Sequence, residues 1–504
     1  MKIMQDVENK MESLKKRIVD IACFNAKNLT ILFAIYLLAF CAIVRADYNY
    51  ADDIMRKYIG YHGWMDWTRW TTTILSNVVH ADWDLIDVSP FPQILACLFL
   101  AITSLSLIKA FSDSNNISFM NLVASTAVGL CPYFLGCIAF KYDAPYMALS
   151  MLVSIIPFLF VNEGKVKYAI VSFFGVLVMI TSYQTSSGIY PTMVMFIAVD
   201  MYCRKDSLRK IVNFILISAV MYILAIAFFA FVLLQPGETE TFPLNSIISG
   251  IISRYIYIGG LVLTDFRKLW IFFIGIAIAG YIMSVYFESQ NNKIISVFLA
   301  FLSVLLGSIF AWNVLLIMSR ETVDARNMIG IGPLIAIIFI KLSSSSKATL
   351  FKISFIVVNW CWFVYAFAFG NSLKEQQRYT DFRIQILIED LNLLEYNDNT
   401  NKYLAVEGSI GFSPVIDQMN EHYNYLRKLL NYNILGQSTL VYAEGFYLYN
   451  YFGLNSEYSY DLQTDFAELE LPVVIDNMYE TIYSNGTYVY VVLKECDSTK
   501  YYQY

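Results

Sequence analysis

The chain has 504 residues, of which 57% are hydrophobic and only 15% are charged. Soluble domains carry about a quarter charged residues, so this composition indicates a protein that lies mainly in lipid. The net charge of -6 excludes the strongly basic surface that nucleic-acid binding requires. No zinc site is predicted, because the cysteines form no Cys-x-x-Cys pair and the histidines are widely scattered.

The chain opens with a polar, Lys-containing segment, residues 1–28, which has no cleavage pattern of a signal peptide. A membrane helix takes about 20 apolar residues. Eleven segments fit, and together they predict a transmembrane domain over 29–370. They cover residues 29–46, 91–111, 118–140, 144–161, 166–183, 187–203, 211–234, 269–287, 294–317, 328–342 and 353–370.

Lys and Arg cluster at the N-terminus and in the even-numbered connections, whereas the odd-numbered connections are longer and more acidic. The positive-inside rule places the basic connections in the cytoplasm. The N-terminus is therefore predicted to be cytoplasmic and the C-terminus periplasmic. Three long segments then face the periplasm: 47–90, 235–268 and 371–504.

The segment after the first helix combines acids, arginines and aromatic residues. Two adjacent acids, Asp52 and Asp53, are costly beside a low-dielectric membrane unless they meet a cation or a substrate. Arg56 follows within one helical turn. A carboxylate here could act as general base towards an acceptor hydroxyl while a guanidinium binds phosphate, and a structural ion pair is the alternative.

Asp82 and Asp84 have a spacing that could hold a divalent ion, but the motif is weak by itself and a solvated loop is the favoured interpretation. Further along, Tyr183 and Gln184 lie in a polar connection, where they could meet sugar hydroxyls or satisfy broken helix ends. Few basic residues face outwards, and a departing lipid phosphate would need such partners. They are Arg69, Arg254, Arg267, Lys268, Arg320 and Arg326.

The residues after 371 have the changing periodicity of a small α/β domain. Residues 373–396 predict an amphipathic helix, and 402–408, 438–445 and 471–476 predict strands. Residues 480–495 predict a hairpin that turns at Asn485-Gly486.

The first loop resembles a known family. The stretch "YADDIMRKYIGYHGW…TRW…IDVSPFPQIL" is similar to the hallmark of the bacterial serotype-converting O-antigen glucosyltransferases of the Gtr type. The resemblance extends over about 50–340, including the Tyr183-Gln184 pair and Arg326, but Val88 departs from the usual Leu and the tail from 371 is not part of the resemblance. The motif residues are Asp52, Asp53, Arg56, Gly60, Tyr61, Trp64, Arg69, Ser89, Pro90, Pro92 and Gln93.

This resemblance implies a GT-C-like fold in the bacterial inner membrane. The implied activity is inverting transfer of glucose from undecaprenyl-phosphate glucose onto lipid-linked O-antigen in the periplasm. Asp52 or Asp53 would accept the acceptor proton, and the tail would select the acceptor glycan. Arg56, Arg69, Arg326 and Arg320 are assigned to the donor phosphate, and Tyr61, Trp64, Tyr183 and Gln184 to the substrates.

No cofactor is expected, although a divalent metal ion is an alternative. An O-antigen polymerase or ligase resembles the chain in its number of spans, but such enzymes tend to place a large loop between late helices. A glycolipid flippase or an ion-coupled transporter would carry polar or charged residues through the spans, and this sequence has almost none.

Overall fold

The computed structural model describes most of the chain. The residues it describes are 26–112, 117–234, 241–243, 245–319, 323–394, 403–423, 425–430, 453 and 469–495. The predicted strand over 438–445, residues 1–25 of the N-terminal segment and Arg320 lie outside this part.

Within the described part, nine helices are long and apolar enough to cross a membrane, and eight of them correspond to predicted segments. The prediction of a polytopic helical membrane protein with a small C-terminal sheet is therefore confirmed. The nine are Ala26–Ala46, Phe91–Phe111, Lys165–Ser182, Leu208–Leu233, Ile247–Asp265, Lys268–Glu288, Lys293–Phe310, Ala325–Ser344 and Thr349–Leu393.

Three predicted spans have a different form. The segment predicted over 118–140 is bent by 64° between Phe119–Leu130 and Pro132–Ile138. Pro132 causes the break, because a proline disfavours the helical conformation of the residue before it, and Cys131 has ψ 128°. The segment 144–161 becomes Ala144–Ile155 and a 3-10 turn, and the segment 187–203 becomes the 15-residue helix Ile189–Cys203.

The last predicted span and the predicted tail helix form one 42-residue helix, Lys352–Leu393. It continues without interruption through residue 371, where the C-terminal domain was predicted to begin. No proline or glycine pair interrupts it there, so the backbone hydrogen bonds continue. The helix therefore connects the membrane bundle rigidly to the sheet.

The ends of the helices form two faces of the bundle. On one, Gln290 donates its N–H to the Cys203 carbonyl at 2.9 Å, and Ser345 donates its hydroxyl to Glu288 at 2.6 Å. We call this the basic face, because the Lys- and Arg-rich connections lie there. The opposite end, which we call the loop face, contains the segment 47–90, the connection 139–143 and the tail.

Helix Ile247–Asp265 has both ends on the loop face. Before it begins, the Phe242 N–H donates to the Ile317 carbonyl at 3.1 Å, and Ile317 follows a helix that has just returned from the basic face. At its end, Asp265 pairs with Lys428 of the tail. The segment 235–268 was predicted to face the same side as the first loop, and its described residues do so as a helix along that face.

The tail contains a four-stranded sheet in which the first and fourth strands along the chain pair in parallel, and the third strand pairs antiparallel with both the fourth and the second. Arg383 from the long helix reaches under the sheet and donates to the carbonyls of Tyr479 and Lys494 at 2.6 and 3.0 Å. The predicted hairpin is confirmed, with Gly486 at φ 91° in its turn. The strands are β1 (Tyr403–Gly408), β2 (Val473–Asp476), β3 (Glu480–Ser484) and β4 (Tyr488–Leu493).

Shorter elements connect the spans, and two short helices lie between the first and second strands of the sheet. They are helices Asp53–Ile59, Trp70–His80, Asn313–Ile317, Pro414–His422 and Leu426–Leu429, and 3-10 turns Met65–Trp67, Gln184–Ser186, Ala325–Met328 and Thr349–Phe351.

Candidate functional site

The first loop places the acid pair at the start of a short helix. Asp47 and Ala51 have left-handed backbone conformations, with φ 50° and 49°, which turn the chain as it leaves helix Ala26–Ala46. Helix Asp53–Ile59 then begins, and Gly60 ends it at φ 63° with its N–H bonded to the Arg56 carbonyl. The two carboxylates therefore lie at the loop face, beside the end of the bundle.

Asp53 is completely buried. Its Oδ2 accepts the backbone N–H groups of Tyr50 and Lys141, both at 3.0 Å, while its Oδ1 has no hydrogen-bond partner among the described residues. Burial raises the pKa of Asp53 to about 8, nearby Asp143 adds to the rise, and the two N–H bonds oppose it. Asp53 is therefore largely protonated at neutral pH.

Asp52 has the opposite environment, because its side chain is 55% exposed. Its Oδ2 lies 3.9 Å from Nη2 of Arg56 and 3.8 Å from Nη1 of Arg326. Both distances are longer than a direct hydrogen bond, so the two guanidinium groups balance the charge of the carboxylate without forming hydrogen bonds to it. Asp52 is thus the member of the pair that can accept a proton from a substrate.

Three residues between two spans, Lys141, Tyr142 and Asp143, form the scaffold of this loop. Lys141, with a side chain 2% exposed, donates its Nζ to the Asp47 carboxylate at 2.6 Å and to Asn49 at 3.0 Å. Its backbone N–H is one of the two that bind Asp53. These residues were not predicted from the sequence, although two charges in a three-residue connection between apolar runs were a usable signal.

Asp143 holds Arg56 in the interior. Nη1 of Arg56 lies 2.6 Å from Oδ2 of Asp143, and both side chains are about 5% exposed or less. Trp64 donates its indole N–H to the other oxygen of Asp143 at 2.5 Å, and the Arg56 guanidinium lies 4.7 Å from the Trp64 ring centroid. Arg56 and Trp64 are therefore bound to the protein, with only one edge of the guanidinium turned towards Asp52.

A second group of predicted residues is connected to Asp52 through Arg326. Arg326 is 31% exposed and lies over the Phe140 ring at 5.0 Å. The Tyr183 hydroxyl donates to the Arg326 carbonyl at 3.0 Å, and the Arg69 guanidinium lies 4.8 Å above the Tyr183 ring. Gln184 accepts from Nε of Arg69 at 3.2 Å. The structure thus brings together residues from positions 52 to 326.

Tyr61 is at the edge of this region. It is 43% exposed, and its hydroxyl donates to Asp66 at 2.6 Å.

Asp82 accepts the N–H groups of Trp83 and Asp84, so the Asp-x-Asp stretch forms a turn. Over the described residues, no group of three His, Cys, Asp or Glu side chains converges as metal ligands would.

We expect the burial of Asp53 to make the stability of the protein depend on pH. In the unfolded chain the carboxyl ionises near its ordinary pKa of 3.8, whereas in the fold it retains its proton up to about pH 8. The unfolded state then binds fewer protons between these values, so the free energy of unfolding falls as the pH rises through that window. Asp53→Asn lacks the ionisable group and should lose this dependence.

Thermal unfolding of the detergent-solubilised protein at pH 5, 7 and 9 tests this expectation. The stability of Asp53→Asn relative to wild type should increase steadily with pH. Asp84→Asn, at an exposed position, is the matched control and should show no such trend. A difference between Asp53→Asn and wild type that is constant from pH 5 to 9 would contradict the assignment of a raised pKa.

Comparisons with known proteins show which family this chain resembles. A family model described as "Glucosyl transferase GtrII" matches residues 40–337, more than half of the chain, and includes Asp52, Asp143, Tyr183 and Arg326. A protein of Salmonella phage P22, described as an uncharacterized 55.3 kDa protein in the gtrB 5' region, is 25% identical over 167 residues. That similarity covers 32% of this chain and 33% of the phage protein.

Proposed function

The chain belongs to the Glucosyl transferase GtrII family, and on that premise we propose that it transfers glucose from undecaprenyl-phosphate glucose to a sugar of lipid-linked O-antigen. The proposed reaction takes place on the periplasmic face of the bacterial inner membrane and would convert the serotype of the cell. The family membership supports the proposal that glucose is the transferred group. The resemblance of the first loop supports the proposal that the donor is a polyprenyl phosphate and the acceptor is O-antigen.

The observation that carries the proposal is the position of Asp52 between two guanidinium groups at the loop face. An exposed carboxylate 3.8 Å from a partly exposed arginine combines a proton acceptor with a partner for phosphate. Glycosyl transfer from a lipid phosphate needs both groups, one towards the acceptor hydroxyl and one towards the leaving group.

In the proposed mechanism, Asp52 accepts the proton of the acceptor hydroxyl as its oxygen attacks the anomeric carbon of glucose. The bond between that carbon and the phosphate oxygen breaks, and its electron pair stays on undecaprenyl phosphate. In-line displacement inverts the anomeric configuration. Arg326, 3.8 Å from Asp52, stabilises the negative charge that develops on the phosphate, and Arg69, which packs on Tyr183 next to Arg326, assists it.

We assign a scaffold role to Arg56 and Trp64. Arg56 is 4% exposed and is held by Asp143, so its main interaction partner is already present in the protein. Tyr183 and Gln184 likewise bind protein groups, and in this proposal they orient Arg326 and Arg69. Tyr61 is the exposed aromatic residue in this set and is the proposed sugar-binding residue, since a ring face can stack on a pyranose.

Two features support the periplasmic assignment of the site. Lys and Arg concentrate at the basic face, which the positive-inside rule assigns to the cytoplasm, and the site lies at the opposite end of the bundle. The tail lies on the same side as the site, where it could meet an exported or membrane-bound glycan. We propose no cofactor, and a chelator arm in the assay tests whether a divalent ion is needed.

Replacing Arg326 by Met tests the role of the guanidinium in the reaction. We expect kcat to fall by on the order of 10², the usual effect of removing one preorganised partner of developing charge. Arg326→Lys should retain part of the rate because it keeps the charge but not the planar donor set. The measurement is transfer from purified undecaprenyl-phosphate glucose to isolated O-antigen, with the anomeric configuration of the product read by NMR.

Arg378→Met is the control for this prediction, because Arg378 is 67% exposed on the tail helix. It should transfer glucose at the wild-type rate. An unchanged kcat for Arg326→Met would remove Arg326 from the mechanism. Failure of the folded wild type to use this donor would instead favour a polymerase, ligase or flippase.

A further inference from the structure

Three segments that the sequence separates widely meet at one junction on the loop face. They are the first loop, the end of helix Ile247–Asp265, and residues 425–430 of the tail, which we call the docking segment. The segment contains the short helix Leu426–Leu429 and packs Tyr425 edge-on against Tyr133 at 5.1 Å between ring centroids. Tyr425, Leu426 and Leu429 are buried, so the segment is part of the bundle's packed interior.

The docking segment touches the loop that carries the acid pair. The Tyr50 hydroxyl, two residues before Asp52, donates a hydrogen bond to the Leu429 carbonyl. The Leu429 side chain lies against Gly136, where an added Cβ would stand 3.6 Å from its methyl carbon and 3.5 Å from the Arg326 backbone nitrogen. Leu429 therefore lies beside Tyr50, two residues before Asp52, and close to the backbone of Arg326.

One ion pair attaches this segment to the bundle. Nζ of Lys428 lies 2.5 Å from Oδ1 of Asp265, and the Tyr133 hydroxyl donates to the other oxygen of Asp265 at 3.2 Å. The Asp265 side chain is only 3% exposed, whereas Lys428 is 48% exposed. A buried carboxylate that loses its cation becomes an uncompensated charge, so the pair strongly favours the docked arrangement.

We propose that Asp265 and Lys428 are a positioning pair of the transferase, which holds the docking segment against Tyr50 and thereby fixes the loop that carries Asp52. This inference rests on the proposed function and extends it to two residues that do not touch the reacting atoms. A displacement of about 1 Å in a catalytic group can lower a rate on the order of 10², so small movements at this junction matter. Positioning acts on kcat, because the donor binds with or without correct alignment of the base.

The experiment compares Lys428→Met, Asp265→Asn and the double variant in the transfer assay with saturating acceptor. We expect each single variant to lower kcat by about tenfold or more while KM for the donor changes little. The double variant should be no worse than either single variant, because both changes remove the same pair. Lys428→Arg keeps the cation and should retain most of the wild-type kcat.

The matched control is Lys494→Met, which removes a 2.6 Å ion pair with Asp476 in the sheet of the same tail. That pair is exposed and distant from the junction, so kcat should not change. A further readout is hydrogen exchange of residues 425–430, which should become faster in Lys428→Met but not in Lys494→Met. Exchange needs no turnover, so it also tests docking in a variant of low activity.

The outcomes separate the alternatives. Additive losses in the double variant, an unchanged kcat in Lys428→Met, or unchanged exchange of the docking segment would each overturn the positioning pair. Loss of folded protein in Lys428→Met, with kcat per folded molecule unchanged, would reduce the pair to a stabilising role. Failure of wild type to transfer glucose would overturn the proposed function, and the exchange measurement would still decide whether the pair holds the segment.

Discussion

Replacing Asp52 by Asn is expected to lower the kcat of glucosyl transfer by on the order of 10³, within the range for loss of a general base. The amide has nearly the same shape but cannot accept the acceptor proton at neutral pH. Asp52 is 55% exposed, and within the described part of the chain its carboxylate has only long contacts with two guanidinium groups, so the substitution should leave the fold intact. The loss of rate would then reflect the missing general base and not a change in the fold.

The adjacent position provides the matched control. Asp53 is buried and largely protonated at neutral pH, since its pKa is about 8, and an Asn resembles a protonated carboxyl. The Asn carbonyl can accept the same two backbone N–H groups that now bind Oδ2. We therefore expect Asp53→Asn to retain most of the wild-type transfer rate.

Both variants are measured side by side with undecaprenyl-phosphate glucose and isolated O-antigen, at pH 7 and with equal amounts of folded enzyme. A large loss in Asp52→Asn with near-normal rates in Asp53→Asn identifies the base. A large loss in Asp53→Asn with a near-normal rate in Asp52→Asn would mean that Asp53 is ionised in the presence of substrate and acts as the base. That result would contradict the proposed mechanism. Rates unaffected in both variants would exclude the acid pair from catalysis.

Replacing Asp143 by Ala is expected to cost about 3–5 kcal/mol of stability, the usual effect of breaking a buried ion pair from one side. The change leaves the Arg56 guanidinium, 4% exposed, without its closest carboxylate. It also leaves the Trp64 indole N–H without an acceptor. The remaining contact with Asp52 is long, at 3.9 Å, and compensates only in part.

Removing the cation as well should restore much of this loss. In the double variant Asp143→Ala and Arg56→Met, no uncompensated charge remains in the interior, so its midpoint of thermal unfolding should lie well above that of Asp143→Ala alone. Asp84→Ala, at an exposed turn, is the control and should unfold like wild type. If Asp143→Ala alone unfolds like wild type, the buried pair does not support the first loop.

The match between prediction and structure differs from one region to another. The apolar segments and the hairpin were predicted from the sequence because they depend on local composition and periodicity. Helix Ile247–Asp265 was not predicted as a helix. Its length and hydropathy suit a membrane span, and only the attachment of both ends to the loop face shows that it does not cross.

At the site, too, some features could be predicted from the sequence and others depend on the tertiary structure. The sequence alone indicated that the protein lies in the membrane and that an acid pair with nearby arginines follows the first span. The family resemblance implied that Tyr183, Gln184 and Arg326 belong with them. Tertiary structure decided the difference between Asp52 and Asp53, which are identical in type and adjacent in the chain. Burial and the N–H groups of Tyr50 and Lys141 set that difference, and both arise from packing between distant segments.

The Asp143–Arg56 and Asp265–Lys428 pairs could not be predicted from the sequence for the same reason, because a side chain's partner depends on which segments the fold brings together.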